Sequence, residues 1–244
     1  MKSTADLLKE QKMLEHLPEH CEILVANVDQ LSHQEYAAAR MGTFGASDAS
    51  VILDVNPYKT REKLVIEKAK AEVIELDKAI VRKGYDLEDY ILSRFIQETN
   101  RDTIKPPHMY RHRDLPFLST NFDGICIEND VAIPVEIKLV SRFGEKYWNK
   151  NAPQCREVTR QSKAYAQHIK KMSELCGIPA YYYTQVQQQM LLSGAPYAYL
   201  YACFDESWTF QCYRILRDEF TISDLMIEAA QVNRKYEKLK GEII

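Results

Sequence analysis

Three side chains in the stretch NFDGICIENDVAIPVEIK, residues 121–138, are of types that do chemistry together: Asp123, Glu136 and Lys138. The stretch reads as two β runs around a turn, because Glu128, Asn129 and Asp130 have turn composition. A two-residue turn centred on Asn129–Asp130 places Asp123 opposite Glu136, on one face, with Cβ atoms about 4.5–5.5 Å apart. Lys138, two residues past Glu136, projects from that face too. Like charges opposed across a ladder are destabilising, so two carboxylates there need a counter-charge. A divalent cation between them supplies it with few, hard oxygen ligands and leaves positions for water and phosphate. A bulge, or the ladder-breaking Pro134, would shift this register by one. A plainer reading makes Glu136–Lys138 a surface ion pair and Asp123 a strand-start residue.

A third carboxylate lies upstream. In RKGYDLEDYILSRF, residues 82–95, Gly84, Leu87, Glu88, Ile91, Leu92 and Phe95 form one helical stripe. Glu88 falls on the apolar side, and Asp86 and Asp89 fall off it. A carboxylate that faces a core must be paired or coordinated; at the edge of the stripe it would instead reach water.

The elements that hold these groups read as mixed α and β. Residues 4–39 look mainly helical, with a break near Pro18, and 47–53 begin a helix with Ser47 or Asp48 as its cap. Residues 60–75 and 80–98 follow as helices, the first opened by Thr60. β runs are expected near 116–127 and 131–140, then a helix around 180–193. YAYLYACF (197–204) and WTFQCYRIL (208–216) alternate around Asp205–Glu206–Ser207, a hairpin signal. A last amphipathic helix spans about 223–240, with Leu225, Met226, Ala229 and Val232 on one side. No repeat, low-complexity tract or linker interrupts the chain. One domain is expected over 1–244, with a core of about 40–216, N-terminal helices at 1–39 and the C-terminal helix.

At 244 residues, 45% hydrophobic and 27% charged, the composition is globular. No apolar run approaches the roughly 18 residues of a membrane span, and the N-terminus is charged rather than signal-like. The six cysteines show no CxxC spacing, which fits scattered reduced thiols and a cytosolic compartment. His108 and His112 stand at i,i+4, a spacing that can ligate metal on a helix; Pro106, Pro107 and polar surroundings favour an exposed loop. The net charge of −3 argues mildly against a polyanionic partner, but its distribution does not. Residues 142–171 carry eight Lys and Arg against Glu145 and Glu157, a local +6 that leaves −9 elsewhere. Phe143, Tyr147, Trp148 and Tyr165 interleave with those cations, as in surfaces that stack bases. A solvated basic helix is the alternative.

A helical Glu followed by D-(x)n-E-x-K resembles the PD-(D/E)XK nuclease signature, and the finer details are similar to the YqaJ and lambda-exonuclease branch of viral recombination nucleases. Four motifs over roughly residues 40–204 carry the resemblance: RMGTFGASDASVIL (40–53), KGYDLED (83–89), the stretch 121–138, and YYTQVQQQMLLSG (182–194). Two departures stand out. Asn121-Phe122-Asp123-Gly124 replaces the S-P-D-G of many relatives, and the connection from Lys138 to Tyr182 is long for the family.

The resemblance implies an α/β (α+β) fold with a restriction-endonuclease-like core, a mixed central sheet flanked by helices. It implies that Asp123, Glu136 and the backbone carbonyl of Ile137 bind Mg²⁺, with Mn²⁺ able to substitute, and that Glu88 completes or supports the site. Lys138 would orient the attacking water or stabilise charge on the phosphate, and Gln185 would hold that water or the lysine. Arg40 and Ser47 match a 5′-phosphate pocket, to which Asn121 and Tyr182 are added as DNA-facing residues. Free N–H groups at a helix N-terminus suit Ser47 to that task independently. The implied activity is an ATP-independent 5′-to-3′ exonuclease on linear double-stranded DNA, leaving 3′ tails for phage-type recombination by annealing. A homo-oligomer, commonly a trimeric ring, a single-strand annealing protein as partner, and the bacterial host cytoplasm go with it. Arg142, Lys146, Trp148, Lys150, Arg156 and Arg160 are the candidate DNA grip or strand separator; otherwise this segment contacts another subunit or the annealing protein. Two other functions fit the same residues. One is a structure-specific or restriction-like endonuclease. The other is a non-cutting relative that binds DNA or protein, against which the joint presence of Asp123, Glu136, Lys138 and Gln185 argues.

Overall fold

A computed structural model describes residues 4–70, 79–152 and 155–243. Its helices and strands run α1 (Thr4–Glu15), β1 (Cys21–Val25), α2 (His33–Met41), β2 (Phe44–Gly45), α3 (Ala49–Ile52), α4 (Arg61–Ala69) and α5 (Ala79–Thr99). β3 (Thr103–Ile104), β4 (Met109–His112), β5 (Leu118–Asn121), β6 (Gly124–Glu128) and β7 (Val131–Val140) follow. The chain then forms α6 (Arg142–Glu145), α7 (Tyr165–Cys176), α8 (Ala180–Ser193), β8 (Tyr197–Phe204), β9 (Thr209–Leu216) and α9 (Glu219–Ile243). One sheet has the order β3-β6-β7-β8-β9, antiparallel except for the parallel β7–β8 pair. A smaller sheet has the order β1-β4-β5-β2, with β2–β5 parallel. The expected mixed α/β class is the class observed.

The β6–β7 hairpin has the register read from its turn. Gly124 pairs with Val135, Ile125 with Pro134 and Cys126 with Ile133. Asn129 and Asp130 have φ of 50° and 60°, the left-handed pair that a two-residue turn matched to strand twist requires. Pro134 introduces no shift, because antiparallel pairing continues on both sides of it. The β run expected over 116–127 is instead two strands in two sheets. The chain leaves the small sheet after Asn121 and enters the large one at Gly124, so Phe122 and Asp123 form the joint. Phe122 is buried there against Tyr110, with ring centroids 5.5 Å apart. Gly124 is required by close approach. A Cβ at that position would lie 2.9 Å from Leu92 Cδ1 of α5 and 3.1 Å from Thr103 Cγ2.

Other expectations move. The segment 4–39 is mainly helical, and its break past Pro18 holds a strand that was not expected, β1, which pairs with β4 between α1 and α2. Thr60 does cap α4, its hydroxyl accepting from the Lys63 N–H at 3.3 Å; α4 ends at Ala69 with Lys70 as its C-cap, and the expected 71–75 lie outside the described residues. Among the described residues the segment 142–171 is not one solvated helix, because short α6 and the start of α7 are separate elements. His108 and His112 are buried rather than in an exposed loop. His108 Nδ1 accepts from the Asn27 N–H and Nε2 lies 3.0 Å from Glu10, and His112 ends β4 and stacks on His20.

Helix α8 runs through the middle of the fold. Thr184, Gln187, Gln188 and Gln189 are fully buried along with its apolar residues. Each glutamine reaches a different neighbour: Gln188 donates to the carbonyls of Phe44 and Ser119, and Gln187 to that of Leu216. The helix ends at Gly194, whose φ of 70° suits glycine. Arg217 and His20 contact the carbonyls of Met190 and Leu191 in its last turn, where the helix dipole favours positive charge.

Candidate active site

Asp123, Glu136 and Lys138 come together at the joint between the sheets. The Asp123 Oδ2 atom accepts from the Ile137 N–H at 2.9 Å, one position beyond the register partner of Asp123. Glu136 is 1% exposed, and Lys138 donates to its Oε1 atom. Two amides from α8 complete its shell: Gln185 Nε2 lies 2.5 Å from Oε1 and Gln189 Nε2 lies 2.5 Å from Oε2. Gln189 escaped the sequence reading. Its signal was present, because it stands four residues after Gln185 on the same helix face.

The electrostatics are unbalanced. Burial, then the Glu136 charge, pushes the Asp123 carboxyl well above the usual carboxylate range, with Glu88 adding and Lys138 opposing. Burial pulls Lys138 down, yet the Glu136 and Asp123 carboxylates outweigh it and hold the ammonium above the ordinary lysine range. Gln189 Oε1 is buried with no hydrogen-bond partner. Among the described residues no group of three or more His, Cys, Asp or Glu side chains is arranged to hold a metal ion. Asp123 and Glu136 do fit the two-carboxylate pattern by which Mg²⁺ is held when water and phosphate fill its other positions.

Glu88 projects from α5 toward the same region, partly exposed, with Lys105 Nζ at 2.8 Å. Lys105 also reaches Asp89 at 2.7 Å. A cleft of about 760 Å³ joins Asp123, Glu136, Lys138, Gln185 and Glu88 to Tyr36, Arg40, Ser47 and Asn121. Arg40 Nη2 donates to Ser47 Oγ at 3.3 Å, and Asn121 Nδ2 to the Tyr36 hydroxyl at 2.9 Å. Neither Ser47 nor Asp48 caps α3 with its side chain. Ser47 lies in a 3₁₀ turn over 46–48, and Asp48 turns back to the Gly45 N–H at 3.0 Å. Lys68 secures this loop. Its ammonium donates to the carbonyls of Arg40 and Thr43 at 2.8 and 2.7 Å and lies 3.3 Å from Asp48.

The basic segment divides in two. Trp148 is buried, with Tyr182, Phe204 and Tyr213 at centroid distances of 5.5, 5.9 and 5.5 Å, so its rings are core contacts. Arg160 is tied to Asp224 at 2.9 Å and Lys150 to Glu145 at 2.6 Å. Arg142, Lys146 and Arg156 are exposed. Tyr182 turns its ring toward Lys138, 5.3 Å from the ammonium.

The same arrangement of sheet and helices is found in solved exonucleases. The chain is similar to the alkaline exonuclease LHK-Exo of Laribacter hongkongensis, with a TM-score of 0.61 and 20% identity over 86% of this chain and 95% of that one. It is also similar to a phage-related exonuclease of Haemophilus somnus 129PT, with a TM-score of 0.56 and 14% identity over 83% and 96%. These neighbours have the restriction-endonuclease-like fold. Residues 35–196 match the YqaJ-like viral recombinase domain, and the chain belongs to that family. It is 27% identical over 128 residues to a Bacillus subtilis (strain 168) protein described as "Uncharacterized protein YqaJ", a match covering 52% of this chain and 39% of that one. The match thus spans about two fifths of that relative. Among the described residues no helix is long and apolar enough to cross a membrane.

Proposed function

We propose that this chain is a single nuclease domain: an Mg²⁺-dependent, ATP-independent exonuclease that degrades one strand of linear double-stranded DNA from its 5′ end. The observation that carries the reading is the facing of Asp123 and Glu136 across β6–β7, with Lys138 bonded to Glu136, at a cleft that also reaches Arg40 and Ser47. Asp123, Glu136 and the Ile137 carbonyl would hold the cation, with Glu88 supporting them from α5. When bound, the cation would lower the pKa of a water and offset charge on the reacting phosphate. Gln185 and Gln189 fix the Glu136 carboxylate from both sides, so it keeps one orientation. Lys138 would hold a nucleophilic water or stabilise charge on the phosphate oxygens. Arg40, Ser47 and Asn121 would receive a terminal 5′-phosphate.

The product would be a 3′ single-stranded tail for recombination by annealing, made in the bacterial host cytoplasm by a trimeric ring that cooperates with an annealing protein. The test is digestion of linear and covalently closed duplex DNA with Mg²⁺ and no ATP, the linear DNA labelled at its 5′ or 3′ end. Early release of 5′ label with circles intact is the expected result. Cutting of circles would make the protein an endonuclease, and binding without cleavage would make it a non-cutting relative.

A further inference from the structure

Most large exposed apolar side chains of a soluble fold are scattered, and a group of them on one wall marks a binding surface. Here four gather around a second cleft, of about 590 Å³: Phe143 is 83% exposed, Tyr58 73%, Tyr85 67% and Tyr147 55%. Tyr181 and Tyr182 also line it, with Tyr58 and Tyr181 edge-to-face at 6.0 Å and Tyr181 and Tyr182 at 4.4 Å. The rings are held from behind, since buried Trp148 packs on Tyr182. Lys146 Nζ lies 5.0 Å from the Tyr147 ring centroid, placing a cation at the rim. This cleft and the one containing Arg40 and Ser47 share Tyr85, Glu88, Ile137 and Lys138.

We propose that this aromatic cleft is a nucleobase-stacking subsite, which grips unpaired bases of the strand next to the phosphodiester held at Lys138. The proposal rests on the nuclease reading and adds to it how the strand is held. The two clefts differ in chemistry across their shared residues. One offers Arg40, Ser47 and Asn121 to phosphate oxygens, and the other offers ring faces and edges. Only single-stranded nucleic acid presents both complements side by side, a chain of phosphates with free π faces. A duplex shields its base faces in the stack, so the ligand here is a frayed or single-stranded end. Because every base has a π face, such a grip is tolerant of sequence.

The test compares two ligands in EDTA, so that binding is read without cleavage: a duplex with a short single-stranded 5′ end, and the same duplex with abasic nucleotides in that end. Phe143→Ala and Tyr147→Ala are the variants, both at exposed positions, with Tyr58→Ala from the Tyr181 side of the cleft as the third. Wild type is expected to bind the base-containing end more tightly than the abasic one. Each variant is expected to lose roughly fivefold to a hundredfold in affinity for the base-containing end, with abasic affinity unchanged. Wild-type affinity in the variants, or an equal loss on both ligands, overturns the stacking subsite while leaving the nuclease reading in place. Failure of wild type to bind either DNA removes both.

Discussion

Helix α8 carries buried polar clusters on two of its faces, and they differ in how their carboxylates are compensated. On one face, Asp218 is fully buried and accepts from His168 Nε2 and the Tyr183 hydroxyl at 2.8 Å each and from the Thr221 hydroxyl at 2.6 Å. Its other oxygen takes the Phe220 and Thr221 N–H groups at 3.1 and 3.2 Å, capping α9. His168 Nδ1 accepts from the Gln161 N–H, which leaves the proton on Nε2 to be donated to Asp218. On the other face, Glu136 meets Lys138, Gln185 and Gln189, but a second carboxylate, Asp123, is held against it at the head of an open cleft. A saturated buried carboxylate stabilises a fold. Two adjacent carboxylates held partly unpaired are costly until a cation joins them.

The difference sets what each cluster loses on mutation. Glu136→Gln keeps the shape and removes charge, so cleavage of linear DNA is expected to fall about 10³-fold or more, with the melting temperature hardly changed. A large loss of stability with cleavage retained would erase the distinction between the faces. Asp218→Ala leaves His168, Tyr183 and Thr221 without their acceptor and removes a helix cap. A loss of about 3–5 kcal/mol is expected, read as a drop of roughly 6–20 °C in Tm, with cleavage per folded molecule unchanged at low temperature. Gln189→Leu has a smaller effect on the same cluster. It frees one side of Glu136 and is expected to raise the Mg²⁺ concentration needed for half-maximal cleavage about 10–100-fold, as loss of a residue that orients a ligand does, with little change in Tm.

Much of this was legible from residue order. Asn129–Asp130 fixed the register, Glu136 and Lys138 then shared a face by alternation, and the Gly84–Phe95 stripe put Glu88 on the apolar side of its helix, while the family resemblance alone tied it to the other two. What the local pattern concealed were effects of packing. Phe122 and Asp123 look like part of a continuous strand, because the change of sheet depends on which neighbours β5 and β6 meet. Trp148 looked like a base-stacking ring among cations, and only tertiary contacts show it enclosed by Tyr182, Phe204 and Tyr213. The aromatic cleft draws on Tyr58, Tyr85, Phe143 and Tyr181, residues far apart in sequence that no periodicity links. No sequence motif marks Lys68, although its ammonium holds the Arg40 loop from within.

On the proposed reading Asp123 and Glu136 repel each other until a cation binds, and the melting of Asp123→Asn in EDTA reports that repulsion. A carboxyl with a raised folded pKa binds more protons folded than unfolded, so stability falls as pH rises above its ordinary value of about 3.9. At pH 8 the variant is therefore expected to melt above wild type, with the gap closing toward pH 4, and to show no cleavage when Mg²⁺ is added. An Asp123→Asn protein that melts below wild type at pH 8, or that still cleaves linear DNA, would rule out a cation held between two repelling carboxylates.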